Sequence, residues 1–187
     1  SMLLPPELMG SHIGAPTAHT TGRTLALGFR GATALFSHMG IEWNLLSVDE
    51  RELARVQELV ALHQRFRGLL HSGDAVRFDP LCSGPEVTAL AHGVYAADRR
   101  EALISVAQLA TGISLVPPPL RLPGLDAALR YRVAVLALPR QPHSMGRTRV
   151  AVDDGGVVVT GRQLAVHGVQ LPSLQPDTAV LLHLVAD

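Results

Sequence analysis

The sequence has no lysine and few aromatic residues, and these absences exclude several classes of function. All 16 cationic residues are arginines, so a Walker phosphate-binding loop, which requires a lysine, is excluded. The arginines are scattered and the formal net charge is zero, whereas a nucleic-acid-binding protein would show a basic patch. No apolar run reaches the roughly 18 residues of a membrane-spanning helix. We therefore expect neither a nucleic acid nor a membrane as a partner.

Nucleophilic catalysis also lacks its usual sequence signals. The chain has one cysteine, Cys82, between Pro80 and Gly84, and no neighbouring pattern that would activate its thiol. A G-x-S-x-G nucleophile elbow is absent as well. We predict that Cys82 lies in a loop or at the edge of a strand and has no catalytic role.

The chain divides near Gly73 into a helical part and a part that is rich in strands. Apolar residues at helical spacing predict one helix over residues 25–36. A second, longer helix is predicted to begin with a capping box at residues 47–50 and to end at Gly73. Gly28 and Gly31 would each cost about 1 kcal/mol relative to alanine in the first helix, so we expect close packing there.

Beyond Gly73 the sequence alternates between short apolar runs and turns that contain glycine, proline or aspartate. A hairpin turn is predicted at residues 153–156, where aspartate and glycine can supply positive φ values. The apolar runs have the spacing of an antiparallel β-sandwich with no helix between the strands. The predicted strands are residues 75–78, 87–95, 102–109, 131–138, 147–152, 157–160 and 179–185. The predicted fold class is α+β, with a helical unit at residues 1–73 and an antiparallel C-terminal β-sandwich at residues 74–187.

An ordered set of short motifs occupies residues 5–44. These motifs are PP-E, M-G-x-H, H-x-T-G-R, R-G-A and G-I-E. Their residues are Pro5, Pro6, Glu7, Met9, Gly10, His12, His19, Thr21, Gly22, Arg23, Arg30, Gly31, Ala32, Gly40, Ile41 and Glu42. The set resembles the late part of the bacterial α-galactosidases of glycoside hydrolase family 36, the melibiase-like enzymes. The resemblance continues more loosely to the C-terminus through residues 71–74 and 161–172.

The resemblance implies that the chain is the tail of such an enzyme. The tail would comprise the last strand and helix of a (β/α)₈ barrel, a connecting long helix and a C-terminal sandwich. The intact parent would hydrolyse terminal α-galactosyl groups with retention, using carboxylates alone and no cofactor. A galactoside would then be a partner of the intact parent only. Because no secretory signal is visible at the N-terminus, we expect a cytoplasmic location.

The catalytic carboxylates of such an enzyme are missing from this sequence. A retaining glycosidase needs two carboxylates roughly 5 Å apart. In the resembled family they belong to a Lys-x-Asp and a Ser-Asp motif, both upstream of this segment, and the chain contains neither motif. We therefore assign no catalytic residue and expect the chain by itself to be inactive.

His12, His19 and Arg23 are the candidate site residues. The two histidines suggest a metal site, but no cysteine or carboxylate lies nearby in the sequence to complete one, and we assign none. By the resemblance, His12 lies at the end of the eighth barrel strand, and His19 and Arg23 lie in the following loop, bordering the active site of an intact parent. We favour the alternative that the three side chains hold the loop through backbone carbonyls. The family form N-H-Q-T-G-R is altered here by Ala18 and Thr20, so we assign no sugar contact to these two positions.

Two other classes of function and one structural question remain open. A non-catalytic carbohydrate-binding module would present exposed aromatic rings, and a structural or oligomerisation domain would present an apolar self-association surface. The single tryptophan, Trp43, would stack on a sugar if exposed, whereas packing in the interior is more common for one tryptophan in an apolar stretch. We expect a homo-oligomer, because a barrel strand without its neighbours leaves an unpaired edge. The contact would involve residues 8–13 or the helix at residues 25–36.

Overall fold

The computed structural model describes residues 8–83, 85–114, 116–139, 150, 152 and 155–187. Three sequence features lie outside these ranges. They are the PP-E motif at residues 5–7, most of the predicted strand at residues 147–152, and the two aspartates of the predicted hairpin turn. The two glycines of that turn, Gly155 and Gly156, are described, and both have the predicted positive φ, at 89° and 92°.

The first unit is a β-α-β arrangement. Strands β1 (Gly10–Gly14) and β2 (His38–Glu42) run parallel, and helix α1 (Leu27–Ala34) connects them. Ile13 is completely buried in the same apolar cluster as α1. Because side chains alternate along a strand, the neighbouring His12 lies on the opposite face of the strand pair. The sequence predicted only one strand here, and the structure adds β2 as its parallel neighbour.

Helix α2 (Glu50–Ser72) follows the strand pair, and its N-terminus differs from the predicted one. The N-cap is Asp49, whose carboxylate accepts a hydrogen bond of 2.7 Å from the Glu52 N–H. Ser47 cannot serve as the cap because it belongs to a preceding 3₁₀ turn and its hydroxyl donates to the Asn44 carbonyl at 2.8 Å. The predicted capping box at residues 47–50 is therefore wrong, because the cap lies two residues later in the chain.

Close packing between α1 and α2 explains a glycine in α1. A β-carbon on Gly31 would lie 2.5 Å from Cδ1 of Leu59, a side chain that is buried on α2. Glycine is the residue that fits here without displacing Leu59. The close packing predicted for the first helix is thus confirmed at Gly31, and it sets the spacing of the two helices.

The C-terminal part is an antiparallel sheet of seven strands. They are β3 (Asp74–Arg77), β4 (Leu81–Ser83), β5 (Glu86–Tyr95), β6 (Glu101–Gln108), β7 (Arg130–Leu136), β8 (Val157–Thr160) and β9 (Thr178–Ala186). Their hydrogen-bonded order is β3-β5-β6-β9-β7-β8, and β4 pairs with β5. The predicted α+β class with an antiparallel C-terminal part is confirmed. Exposed Cys82 lies on the short strand β4, in agreement with its predicted position at a strand edge.

A short helix, α3 (Gly161–Val166), lies between β8 and β9, where the sequence predicted none. It begins with a capping box. The Thr160 hydroxyl accepts from the Gln163 N–H at 3.2 Å, and the Gln163 side chain accepts from the Thr160 N–H at 2.8 Å. Six residues are too few to show helical periodicity, which is why the apolar pattern does not reveal this helix.

The sheet has an apolar core on each face. On β6, Leu103 belongs to the core that also contains α1 and α2, whereas its neighbour Ile104 belongs to the core on the other face. The first of these cores joins the β-α-β unit, α2 and the sheet into one continuous interior. None of the described helices is long and apolar enough to cross a membrane. The domain boundary between residues 73 and 74 stays a prediction.

Candidate functional site

The candidate site lies on the face of the β1–β2 pair that is turned away from α1. His12 on β1 is directly opposite Gly40 on β2. A β-carbon on Gly40 would lie 2.7 Å from Cδ2 of His12, so the glycine leaves room for the imidazole to lie across the neighbouring strand. The imidazole Nδ1 is 3.9 Å from Oε2 of Glu42, and both side chains are more than half exposed. Glu42 is a neighbour of His12 that the sequence analysis did not assign to the site.

The loop at residues 15–26, here called the β1–α1 loop, leaves the C-terminal end of β1. Backbone hydrogen bonds across its base join Leu25 N–H to the Pro16 carbonyl and Ala18 N–H to the Arg23 carbonyl, each at 2.9 Å. Gly22 has a φ of 68°, which permits the tight turn. His19 is exposed in the same turn. The strand end and the loop therefore present His12, His19 and Arg23 from consecutive parts of one segment.

Arg23 connects the loop to the C-terminal sheet. Its Nη2 donates to Oδ1 of Asp177 at 2.5 Å. Asp177 lies in the turn before β9, and its N–H donates to the Gln108 carbonyl at the end of β6, at 2.9 Å. The sequence analysis favoured backbone carbonyls as partners of Arg23, whereas the structure gives it a carboxylate 154 positions away in the chain. Sequence spacing offers no signal for such a distant partner.

Backbone carbonyls are instead contacted by Arg30, a motif residue to which the sequence analysis assigned no role. Its guanidinium is buried, with 8% of the side chain exposed. Nε donates to the Leu25 carbonyl at 3.1 Å, and Nη1 donates to the Gly14 carbonyl. Nη2 lies 3.9 Å from Oε1 of Glu52 on α2. Burial lowers the pKa of Arg30 and Glu52 opposes that shift, but an arginine remains protonated throughout the physiological range.

Trp43, which directly follows β2, is half-buried. The Arg30 guanidinium lies over its ring, with Cζ 4.9 Å from the ring centroid, in a cation–π arrangement. The indole also packs against the core that contains α1 and α2. One face of this ring is therefore occupied by protein, which supports the packed interpretation of Trp43 over sugar stacking.

The described part of the chain has a cavity beside the strand pair but no cluster of metal ligands. Within the described ranges, no three histidine, cysteine, aspartate or glutamate side chains are grouped so that they could hold a metal ion. A cavity of about 350 Å³ is lined by Met9 and Ser37, which precede β1 and β2, and by His92 on β5. This cavity lies at the N-terminal ends of β1 and β2, whereas the β1–α1 loop leaves the C-terminal end of β1.

Comparison with known families decides the assignment. Residues 1–73 match the Melibiase family, and residues 89–184 match the Glycosyl hydrolase family 36 C-terminal domain. The chain belongs to glycosyl hydrolase family 36. The resemblance inferred from the motifs is thereby confirmed. The first match ends at the C-cap of α2, and the second begins within β5.

Individual relatives align with 71–98% of this chain. It is 36% identical to a protein of Escherichia coli named alpha-galactosidase, over 98% of this chain and 26% of that protein. It is 31% identical to probable alpha-galactosidase C of Aspergillus oryzae, over 71% of this chain and 17% of that protein. The chain thus spans about a quarter or less of the length of these relatives.

Solved structures of alpha-galactosidases show the same fold. A variant of the alpha-galactosidase AgaA from Geobacillus stearothermophilus, crystallised with raffinose, matches with a TM-score of 0.78 and 28% identity. The match covers 98% of this chain and 22% of that one. The alpha-galactosidase from Lactobacillus brevis also has a TM-score of 0.78, at 22% identity, which supports the fold alone.

Proposed function

We propose that this chain forms the C-terminal section of a retaining α-galactosidase, which in its intact form removes terminal α-galactosyl groups. The observation that carries the proposal is the collinear match to two families. The Melibiase match ends at residue 73, the family 36 C-terminal domain match begins at residue 89, and both lie on one continuous fold. The E. coli relative that aligns with 98% of the chain is itself named alpha-galactosidase.

The β1–β2 pair supports a place in a larger barrel. Parallel strands joined by a helix are the repeating unit of a (β/α)₈ barrel, whose substrate site is built from the C-terminal ends of the strands and the loops that follow. In this proposal β1 and β2 are two neighbouring barrel strands, and β2 takes the place of β1 as the last one, where the sequence led us to expect a single barrel strand. The β1–α1 loop, with His19 and Arg23, then lies at the rim of the galactoside site.

The two reacting carboxylates belong to the preceding part of the intact enzyme in this proposal. Retention requires a nucleophile and an acid/base roughly 5 Å apart. The strand pair and its loop contribute Glu42 at the end of β2, while the sequence holds no Lys-x-Asp or Ser-Asp motif. This section therefore shapes the rim of the site and performs no bond cleavage alone.

The proposal is tested by comparing two proteins with an aryl α-galactoside as substrate. One is this chain, and the other is the product of the coding sequence extended upstream of Met2 until both motifs are included. We expect hydrolysis by the extended protein and none by this chain. Turnover by this chain that survives repurification, or an inactive extended protein that is folded and carries both motifs, would overturn the proposal.

We also propose that the isolated chain self-associates through the β-α-β unit. Among the described strands, β1 and β2 pair only with each other, so each retains an edge with unused backbone donors and acceptors. Such edges are templates for another strand. A second copy placed by a two-fold axis is the simplest way to cover them.

A further inference from the structure

The two ends of the β1–α1 loop meet at one side chain. Gly14 is the last residue of β1, and Leu25 comes just before α1. The carbonyls of both accept hydrogen bonds from the guanidinium of Arg30. The loop is therefore closed at its base by a residue that lies outside it, on the first helix.

The same guanidinium also reaches the other two elements around the site. It lies over the ring of Trp43, which follows β2, and Nη2 is 3.9 Å from Glu52 on α2. Arg30 is thus a common neighbour of four parts of the structure: the ends of β1 and β2, the start of α1 and the first turn of α2. A planar guanidinium has five N–H donors in a fixed fork and a face that stacks on aromatic rings, so it can serve these partners at once.

We propose that Arg30 is the positioning residue that holds the β1–α1 loop at the C-terminal end of the strand pair. Arg30 does not reach the exposed face that carries His12, so it acts through the loop and through Trp43. The effect of Arg30 on catalysis rests on the proposed function, in which this loop forms the rim of the galactoside site. A lysine cannot replace it, because a single ammonium group lacks both the fork and the stacking plane.

Hydrogen exchange measured by mass spectrometry on this chain tests the structural half of the inference. In Arg30→Met and Arg30→Lys we expect exchange of amides at residues 17–25 to rise at least tenfold, while the central strands β6 and β9 keep wild-type exchange. The matched control is Arg55→Met. Arg55 also contacts Glu52, at 3.2 Å, but lies on α2 away from the loop, and we expect wild-type loop exchange in this variant.

Two outcomes would overturn the structural half. One is wild-type loop exchange in a folded Arg30 variant, and the other is an equal increase across the loop, β6 and β9, which would show a general loss of stability. If Arg30→Met does not fold, Arg30→Lys decides the question, because it keeps the charge and most of the volume. Selective loop opening in Arg30→Lys supports the inference, and wild-type loop exchange contradicts it.

The catalytic half is tested in the extended protein with an aryl α-galactoside. We expect Arg30→Lys to lower kcat/KM at least tenfold, mainly through KM, and Arg55→Met to leave it unchanged. If the wild-type extended protein is inactive, the proposed function fails while the exchange result stands. If the wild type is active and Arg30→Lys opens the loop without changing kcat/KM, the role of Arg30 in catalysis is refuted and the proposed function survives.

Discussion

At the scale of single residues, Asp177 combines a salt bridge with an uncommon backbone conformation. Its carboxylate accepts a 2.5 Å hydrogen bond from Arg23, and its φ is 59°. Aspartate, asparagine and glycine tolerate this left-handed region, whereas alanine does so at a cost. The side chains of the pair are 61% and 41% exposed, so solvent screens their attraction. An exposed ion pair of this kind contributes no more than about 1 kcal/mol.

A series of substitutions at Asp177 separates these two effects. We expect Asp177→Asn and Asp177→Gly to lower the free energy of unfolding by less than about 1 kcal/mol, because both retain the backbone conformation. Asp177→Ala should cost roughly 1 kcal/mol more, because its β-carbon is strained at positive φ. Urea unfolding of the three variants and the wild type measures the difference. If Asp177→Asn and Asp177→Ala lower the free energy of unfolding equally, the backbone conformation at residue 177 contributes nothing.

His63 provides a pH-dependent contribution to stability. Burial is the main cause that lowers its pKa, and neighbouring His71, Arg67 and His38 lower it further, although a hydrogen bond to the Leu35 carbonyl opposes them. The folded state therefore binds a proton less readily than the unfolded state. At a pH above about 6.5, the ordinary histidine pKa, His63 is neutral in both states and does not change the free energy of unfolding. As the pH falls below about 6.5, the unfolded state binds the proton first and the free energy of unfolding decreases.

Replacement of His63 tests this contribution directly. We expect the wild-type chain to lose free energy of unfolding between about pH 7.5 and pH 5.5, and His63→Gln to lose less over the same interval. His167→Gln is the control, since His167 is exposed at the C-terminal end of α3. Urea unfolding at the two pH values gives the comparison. An unchanged pH dependence in His63→Gln would contradict the assignment.

The role of Arg30 shows what the sequence could not reveal at the residue scale. The motif containing Arg30 was visible, and so were His12, His19 and Arg23. The contacts of Arg30 depend on where the loop ends come together in space, and helical spacing carries no information about Gly14 or Leu25. The pairing of Asp177 with Arg23 was not predicted for the same reason, because the two residues are 154 positions apart in the chain.

At the scale of elements, the α1–α2 contact can be tested with two glycines. Gly31→Ala should lower the free energy of unfolding by about 1–3 kcal/mol, because its β-carbon would overlap buried Leu59. Gly68→Ala on α2 is the matched control, since nothing lies within 4 Å of its added β-carbon. This change should raise stability by about 0.5–1 kcal/mol. Stabilisation by both substitutions would show that the helices are not closely packed at Gly31.

Long elements with clear patterns were predicted well, and short ones were not. The strand predicted at residues 87–95 differs from β5 by one residue, and α2 ends at Ser72, one residue before the predicted end at Gly73. Strand β2 was missed, because its residues are partly exposed and it is defined by pairing with β1 across α1. Helix α3 and strand β4 were missed because segments of three to six residues show no periodicity.

At the scale of the whole molecule, the continuous core favours a folded single chain, whereas the strand pair favours association. The core joins α1, α2 and the sheet, but the outer edges of β1 and β2 leave backbone groups that a further strand would pair with. Light scattering at tens of micromolar should therefore show a dimer or larger species for this chain. A monomer in which the amides of β1 and β2 are protected from exchange would contradict self-association.

Family membership was accessible from sequence at this scale, because an ordered set of motifs over about forty positions is more specific than any single motif. The arrangement of the sheet and its two cores was not, since strand order depends on contacts between distant segments. The proposed activity follows from the family and from the placement of the loop at the strand ends. The proposed activity is therefore decided by whether, and with which stereochemistry, the extended protein hydrolyses an α-galactoside.

The most direct measurement is the anomeric configuration of the galactose first released by the extended protein. Proton NMR can follow hydrolysis of an aryl α-galactoside before the product mutarotates. The account predicts α-galactose as the first product, because a double displacement on two carboxylates retains configuration. Initial release of β-galactose, or cleavage of β-galactosides in preference to α-galactosides, would contradict it.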